Sequence, residues 1–71
     1  FVIYAEDGVY FQSYNSIIAV KRYGGLPNEL DSHYWDYSRT TGKYRNIFLG
    51  EDKKTTEKKI ASGEYILTNL N

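Results

Sequence analysis

A turn signal near the start of the chain restricts the fold more than any other feature. Asp7-Gly8 separates two runs rich in β-branched and aromatic residues, Phe1–Glu6 and Val9–Tyr14. This pattern predicts a type I′ hairpin, whose two central positions need a positive φ. A two-residue loop then pairs Glu6 with Val9, Ala5 with Tyr10 and Tyr4 with Phe11. One face of this hairpin is apolar and needs a second layer; it carries Val2, Tyr4, Val9 and Phe11.

The following segments predict that the hairpin continues as an antiparallel meander. Asn15-Ser16 is typical of a turn, and the apolar run Ile17–Val20 suits a central strand. Gly24-Gly25 ends that strand. Two further strands are expected, at Leu30–Trp35 and at Tyr65–Leu67.

The hydrophobic period changes after Trp35 and predicts a helix over Thr41–Leu49. Tyr44, Ile47 and Phe48 then share one face at positions i, i+3 and i+4. We therefore expect these three side chains to point into the core. Trp35, Tyr44 and Phe48 are expected to be largely buried.

Capping residues support this helix and predict a second one. Possible N-caps of the first helix are Asp36, Ser38 and Thr40, and Gly50 stands at its C-cap. Asp52 and Gly63 bracket a weaker helix over Lys53–Ser62, with only Ile60 and Ala61 as apolar anchors. Residues 1–71 are thus expected to form a single α+β domain. Its architecture is an antiparallel β-meander of four to five strands with one firm and one weaker helix packed on it.

Composition and spacing exclude several classes of protein. The 71 residues include no cysteine, so disulfides and thiolate-bound zinc are excluded. No apolar run approaches the ~20 residues of a membrane helix, and no signal peptide is visible; we expect a cytoplasmic protein without membrane contact. Asp31-Ser32-His33 contains the residue types of a catalytic triad, but in a strand Asp31 and His33 share a face while Ser32 points to the other, so the three cannot act as a triad. We expect no enzymatic activity, no cofactor and no metal.

Basic and aromatic residues between His33 and Gly50 predict a contact surface. Residues 1–36 contain two basic and five acidic residues, whereas residues 37–71 contain seven and four. A neutral protein can therefore present one basic face. Helical geometry directs Arg39, Lys43 and Asn46 away from the predicted core, and Arg and Tyr often carry interface energy. The candidate binding residues are Tyr37, Arg39, Lys43, Arg45 and Asn46.

Several motifs resemble a small domain that is common in phages, plasmids and integrated mobile elements of Gram-positive bacteria. The central motifs are YWDYSRTT at residues 34–41 and YRNIFLGE at residues 44–51. SYNS at residues 13–16 and KIASGEY at residues 59–65 flank them. The resemblance covers most of the chain from Gly8 onward. It implies an intracellular accessory protein of a mobile element and assigns no catalytic residues.

We therefore expect a non-catalytic accessory protein of a phage or mobile element that binds a host protein or nucleoprotein complex. An anti-defence role, such as inhibition of a CRISPR effector, fits this expectation. The alternative is a small nucleic-acid-binding protein that contacts DNA or RNA through a basic, tyrosine-rich helix face. That alternative uses Arg39, Lys43, Arg45, Lys53, Lys54, Lys58 and Lys59.

Overall fold

Five strands form one sheet in chain order in the computed structural model, which describes residues 1–71. The elements are β1 (Val2–Ala5), β2 (Gly8–Ser13), β3 (Ser16–Arg22), β4 (Glu29–Asp31), α1 (Arg39–Leu49), α2 (Lys53–Ser62) and β5 (Ile66–Thr68). Neighbours from β1 to β4 are antiparallel, whereas β4 and β5 are parallel. Parallel pairing is possible because α1 and α2 carry the chain back to the starting end of β4. The predicted α+β fold is confirmed, with this one parallel pair as the difference.

The first hairpin turns at Glu6-Asp7, one residue earlier than predicted. The pairs are Val2 with Phe11, Ile3 with Tyr10, Tyr4 with Val9 and Ala5 with Gly8. The predicted register was therefore wrong by two residues, although each side chain keeps its face. Gly8 does not have a positive φ. A Cβ atom at Gly8 would lie 2.5 Å from the Lys21 carbonyl oxygen, so close approach of β2 and β3 requires the glycine.

The second hairpin turns at Tyr14-Asn15, again one residue before the predicted position. Tyr14 has a φ of 56° and is the single non-glycine residue with a positive φ. A left-handed conformation costs an L-residue roughly 1–2 kcal/mol. The side chain of Tyr14 is nevertheless 74% exposed, so burial of its own ring does not offset this cost.

Strand β4 ends at Asp31, which corrects the prediction of a strand over Leu30–Trp35. The buried Asp31 carboxylate accepts hydrogen bonds from the backbone N–H groups of His33 and Tyr34. It also accepts one from the N–H of Leu70, after β5. A carboxylate that binds its own downstream N–H groups favours a turn over an extended strand. Asp31 thus bends the chain towards α1.

The core joins one face of the sheet to both helices. Ala19, Leu30 and Tyr65 are buried together, and the partly buried side chains against them are Trp35, Phe48, Leu49 and Ile60. The rings of Phe11 and Phe48 stack with centroids 5.6 Å apart, which ties β2 to α1. Trp35 and Phe48 are therefore in the core as predicted, but each is only partly buried.

Helix α2 has the bounds and caps that the sequence predicted. Asp52 accepts a hydrogen bond from the N–H of Thr55 at its start, and Gly63 ends it with a φ of 85°. Of its two expected anchors, Ile60 contacts the core, whereas Ala61 is exposed. Thr56 is buried instead. Strand β5 begins one residue later than predicted.

Candidate functional site

Helix α1 begins at Arg39 because Ser38 caps it. The Ser38 hydroxyl accepts a hydrogen bond from the N–H of Thr41 and donates one to its hydroxyl oxygen. Of the three possible N-caps, Ser38 is the one used, and the helix starts two residues before the predicted bound. Gly50 is the C-cap, as predicted, with a φ of 71°. These caps fix which side of α1 faces the sheet.

The side of α1 that faces the fold combines polar residues with Phe48 and Leu49, which are partly buried against the core. Its buried residues are Thr41, Gly42 and Arg45. Arg45 is only 1% exposed. Its Nη1 atom donates to the carbonyl oxygen of Trp35 at 2.8 Å, and its Nη2 atom donates to Oδ1 of Asn46 at 2.9 Å. The guanidinium also lies 5.2 Å from the centroid of the Trp35 ring. Arg45 is therefore internal, which corrects its prediction as a binding residue.

Asp36 links this buried arginine to α2. Its carboxylate lies 3.2 Å from Arg45 Nη1 and 2.6 Å from Lys53 Nζ. Burial would raise the pKa of Asp36, but hydrogen bonds and charge from Lys53 and Arg45 outweigh it and hold the pKa below the ordinary value. The carboxylate thus stays ionised at neutral pH and neutralises part of the surrounding positive charge.

The opposite side of α1 combines basic and apolar side chains. We define the outer ridge as Arg39, Lys43, Tyr44 and Ile47. Arg39 and Lys43 are exposed, as predicted. Tyr44 is 50% exposed and Ile47 is 67% exposed, so the prediction that they point into the core was wrong. The helix turns Thr41, Arg45 and Phe48 inward instead, at positions i, i+4 and i+7.

Three grooves border α1, and two of them, the apolar and the basic groove, are lined by residues of the outer ridge. An apolar groove of about 440 Å³ separates α1 from β1 and β2; its walls include Phe1, Val2, Phe11, Tyr14, Tyr44 and Ile47. A basic groove of about 750 Å³ is lined by Asp36, Arg39, Lys43, Asn46 and Lys53, with Arg45 in its wall. A tyrosine groove of about 500 Å³ contains Tyr14, Tyr34 and Tyr37.

The structure brings together four of the five predicted binding residues, of which the buried Arg45 forms part of the groove wall. Arg39, Lys43 and Asn46 line the basic groove. Tyr37 is 63% exposed but lines the tyrosine groove, where its ring lies 5.6 Å from that of Tyr34. Ser38 lines both grooves and separates Tyr37 from the basic residues. Tyr37 and the basic set are therefore adjacent but do not form one pocket.

Comparison with known families places the chain in one of them. A model described as a family of unknown function, DUF8033, matches residues 1–64. The chain belongs to the DUF8033 family. The match includes β1 to β4 and both helices, and therefore the whole outer ridge. No curated protein and no solved structure matches the chain significantly.

In this DUF8033 chain, the second helix adds basic residues of two kinds. Lys54 and Lys58 are exposed and form no ion pair, whereas Lys59 is paired with Glu51 at 2.8 Å. The hydrogen bond with Glu51 raises the pKa of Lys59. The Glu51 carboxylate also accepts from the hydroxyls of Thr56 and Tyr65. Lys59 thus holds α2 to the fold and is less available to a partner than Lys54 and Lys58.

Sequence reasoning missed two positions that shape the site in this DUF8033 domain. Asp31 sets the turn into α1. The sequence contained a signal for this turn, because an Asp that precedes polar residues is typical of an Asx-turn. Tyr14 projects between the apolar and tyrosine grooves. No local signal marks Tyr14, because a positive φ at tyrosine contradicts residue preference.

Neither helix has the length and apolar character that a membrane span needs. No group of three or more His, Asp or Glu side chains comes together that could hold a metal ion.

Proposed function

We propose that this domain is a non-catalytic binding module whose outer ridge contacts a macromolecular target, a host protein or nucleoprotein complex. In this proposal it is an accessory protein of a phage or mobile element and acts in the host cytoplasm against a defence system. Occlusion of the working surface of a complex such as a CRISPR effector is a mechanism that suits a domain of this size. The resemblance of residues 34–51 to domains of mobile elements supports the setting.

One observation carries the proposal: α1 exposes two of its apolar side chains, Tyr44 and Ile47, while it buries an arginine. Tyr44 and Ile47 lie beside Arg39 and Lys43 on one accessible surface. A contiguous patch of exposed apolar and aromatic residues marks interaction sites, whereas single exposed residues do not. Arg and Tyr are also the residue types that most often carry binding energy at interfaces. The basic members favour a target with an acidic surface.

The test uses two charge-reversal variants that change net charge equally. Arg39→Glu/Lys43→Glu alters the outer ridge, and Lys54→Glu/Lys58→Glu alters exposed lysines of α2. Both variants should keep the wild-type circular dichroism spectrum, since exposed charges contribute little to stability. Affinity capture from nuclease-treated host lysate should recover the same target with the wild type and the α2 variant but not with the outer-ridge variant. Equal recovery with all three proteins would contradict the proposal.

A second candidate, nucleic-acid binding, is favoured by the basic groove. Arg39, Lys43 and Lys53 surround a groove that also contains one carboxylate, Asp36. If these three cations contact phosphates of B-DNA, the logarithm of the association constant should fall with log salt at a slope of about −2.7. Fluorescence anisotropy with duplex DNA and single-stranded RNA over a range of salt concentrations measures this slope. If the domain binds nucleic acid with this salt dependence and captures no protein after nuclease treatment, nucleic-acid binding is favoured over binding to a protein target.

A further inference from the structure

Strand β1 forms a free edge of the sheet. The nitrogen of Phe1 donates to the carbonyl oxygen of Gln12, and the N–H of Gln12 donates back to the carbonyl oxygen of Phe1. Hydrogen-bonded pairs alternate with non-hydrogen-bonded pairs in an antiparallel ladder. Ile3 and Ala5 therefore also bond to β2. It follows that Val2 and Tyr4 direct their backbone N–H and C=O groups away from the sheet.

This edge lacks the features that usually prevent edge-to-edge pairing. Residues 1–5 contain no charged side chain and no proline, and the pairing of β1 with β2 has no bulge. The exposed fractions are 86% for Phe1, 48% for Val2, 43% for Ile3 and 78% for Tyr4. Natural edge strands are normally protected by charge, proline, a bulge or a covering segment. An uncharged, apolar and unpaired strand is a template for another strand.

The apolar groove opens beside the same edge. Seven of its ten lining residues are hydrophobic, so it suits an aromatic or aliphatic side chain. Val2 lines this groove, and the Val2 and Tyr4 side chains lie on the same face of β1 because they are two residues apart. A strand added outside β1 would therefore place every second side chain on the groove side.

We propose that a second copy of this chain pairs antiparallel with β1, with Val2 opposite Tyr4 of the partner subunit and Ile3 on the two-fold axis. This register joins all the free backbone groups of Val2 and Tyr4 in four hydrogen bonds. It also places the exposed Tyr4 ring beside Val2 of the partner subunit, where it covers the apolar groove of that subunit. The occupant of each groove is thus Tyr4 of the other copy.

The edge itself selects a second copy as the partner. An isologous contact brings the same residues together from both sides, so any charge on the axis would face a like charge. Here the residue on the axis is Ile3, and no side chain of β1 is charged. The groove supplies an apolar pocket, and the same strand supplies a largely exposed tyrosine for it. The surface is therefore complementary to itself.

The pairing has a consequence for the arrangement of the helices. The two-fold axis of an antiparallel strand pair is perpendicular to the sheet, so both copies of α1 lie on one side of a continuous sheet. Arg39 and Lys43 line the basic groove, away from β1, and stay accessible, whereas Tyr44 and Ile47 line the apolar groove that Tyr4 of the partner subunit covers. The interface involves about five residues from each subunit, fewer than the 20–30 of a standard interface, and we expect a dissociation constant on the order of 10 µM.

Cysteine cross-linking tests the register, because the chain has no native cysteine. Ile3 would face its own copy as a non-hydrogen-bonded pair with Cα atoms ~4.5 Å apart, which is within the range for a disulfide. Ile3→Cys should therefore oxidise to a covalent dimer in a glutathione buffer. Ile66→Cys is the matched control, because Ile66 is also 43% exposed and lies on the other edge strand. Equal cross-linking of both variants, or none with Ile3→Cys, would overturn the proposal.

Sedimentation velocity supplies an independent readout on the protein without cysteine. The wild type should change from monomer to dimer between ~1 and ~100 µM. Ile3→Lys places two like charges at the axis and should raise the dissociation constant at least tenfold, as should Tyr4→Ala, whereas Ile66→Lys should leave it unchanged. A wild-type monomer at all concentrations, or equal dissociation by Ile3→Lys and Ile66→Lys, would contradict pairing through β1. None of these variants alters Arg39 or Lys43, so failure here leaves the charge-reversal test of the outer ridge intact.

Discussion

The inner side of α1 is more polar, and its outer side more apolar, than in an ordinary surface helix. The inner side buries Thr41, Gly42 and Arg45, whereas the outer side exposes Tyr44 and Ile47. A helix packed on a sheet usually turns its apolar stripe inward. Here the inner side combines the hydrogen bonds of Thr41 and Arg45 with the packing of Phe48 and Leu49 on the core. Tyr44 and Ile47 are available for a partner because polar groups, together with the core packing of Phe48 and Leu49, secure the helix.

The inner side is stable only because its charged group is almost fully paired. Arg45 donates to Trp35, Asp36 and Asn46, and its Nε atom alone is buried without a partner. Burying an unpaired charge costs far more than burying a paired one. Substitutions on the two sides of α1 should therefore differ greatly in their effect on folding.

The largest effect is expected for Arg45→Met. The variant keeps similar volume but leaves the Trp35 carbonyl oxygen and the Asn46 side chain without their partner. We expect a loss of about 3 kcal/mol, a large part of the ~4–10 kcal/mol typical of a chain this long. Chemical denaturation measures this loss. Arg39→Met, an exposed position on the same helix, is the control and should change stability little; equal losses in both variants would contradict the internal role of Arg45.

The second effect concerns Asp31 and depends on pH. Burial would raise the pKa of Asp31, but hydrogen bonds from Leu70, Tyr34, Asn71 and His33 hold it below the ordinary value of 3.8. The unfolded chain therefore binds the proton first as pH falls. The stabilisation is complete well above pH 3.8 and is lost as pH falls through the folded pKa.

Asp31→Asn should accordingly destabilise the protein by about 1.5–3 kcal/mol at pH 7. The difference from wild type should shrink between about pH 4 and pH 2. Thermal denaturation over this pH range provides the measurement. A difference that stays constant down to pH 2 would show that the Asp31 charge does not stabilise the turn into α1.

A smaller effect is expected for Thr41→Val, which keeps the shape of a buried side chain but removes its hydroxyl. The Thr41 hydroxyl lies 3.1 Å from both the Ser13 and the Ser38 hydroxyl oxygens. Its removal should cost about 1 kcal/mol. Thr40→Val, at an exposed position one residue earlier, should change stability by less than about 0.5 kcal/mol. A Thr41→Val protein as stable as wild type would show that the hydrogen bonds of the Thr41 hydroxyl do not stabilise the inner side of α1.

Local signals in the sequence were sufficient to predict the helices and strands and most of the residues at which they begin or end. Ser38, Gly50, Asp52 and Gly63 cap the helices as their residue types predicted. Capping and turn chemistry act over three or four residues, so a sequence contains them completely. The α+β class follows from the order of these elements.

The orientation of α1 and the register of the first hairpin could not be predicted in this way. The hydrophobic period assigned Tyr44 and Ile47 to the core because it counts only apolar residues. It takes no account of the hydrogen-bond partners that a buried arginine can have. The partners of Arg45 come from the chain before α1, at Trp35 and Asp36, and their approach depends on the turn at Asp31. The need for Gly8 arises likewise from Lys21 on another strand. Contacts between distant segments decided both cases.

The most direct test of the account is the free energy of unfolding of Tyr44→Ser/Ile47→Ser, measured on the monomer at low concentration. Both side chains are at least half exposed, so their removal should change the free energy of unfolding by no more than about 0.5 kcal/mol per position. That result would establish that the apolar side of α1 is free of a role in folding. If the two side chains instead belong to the core, their loss should cost several kcal/mol, and a decrease of that size would contradict the account.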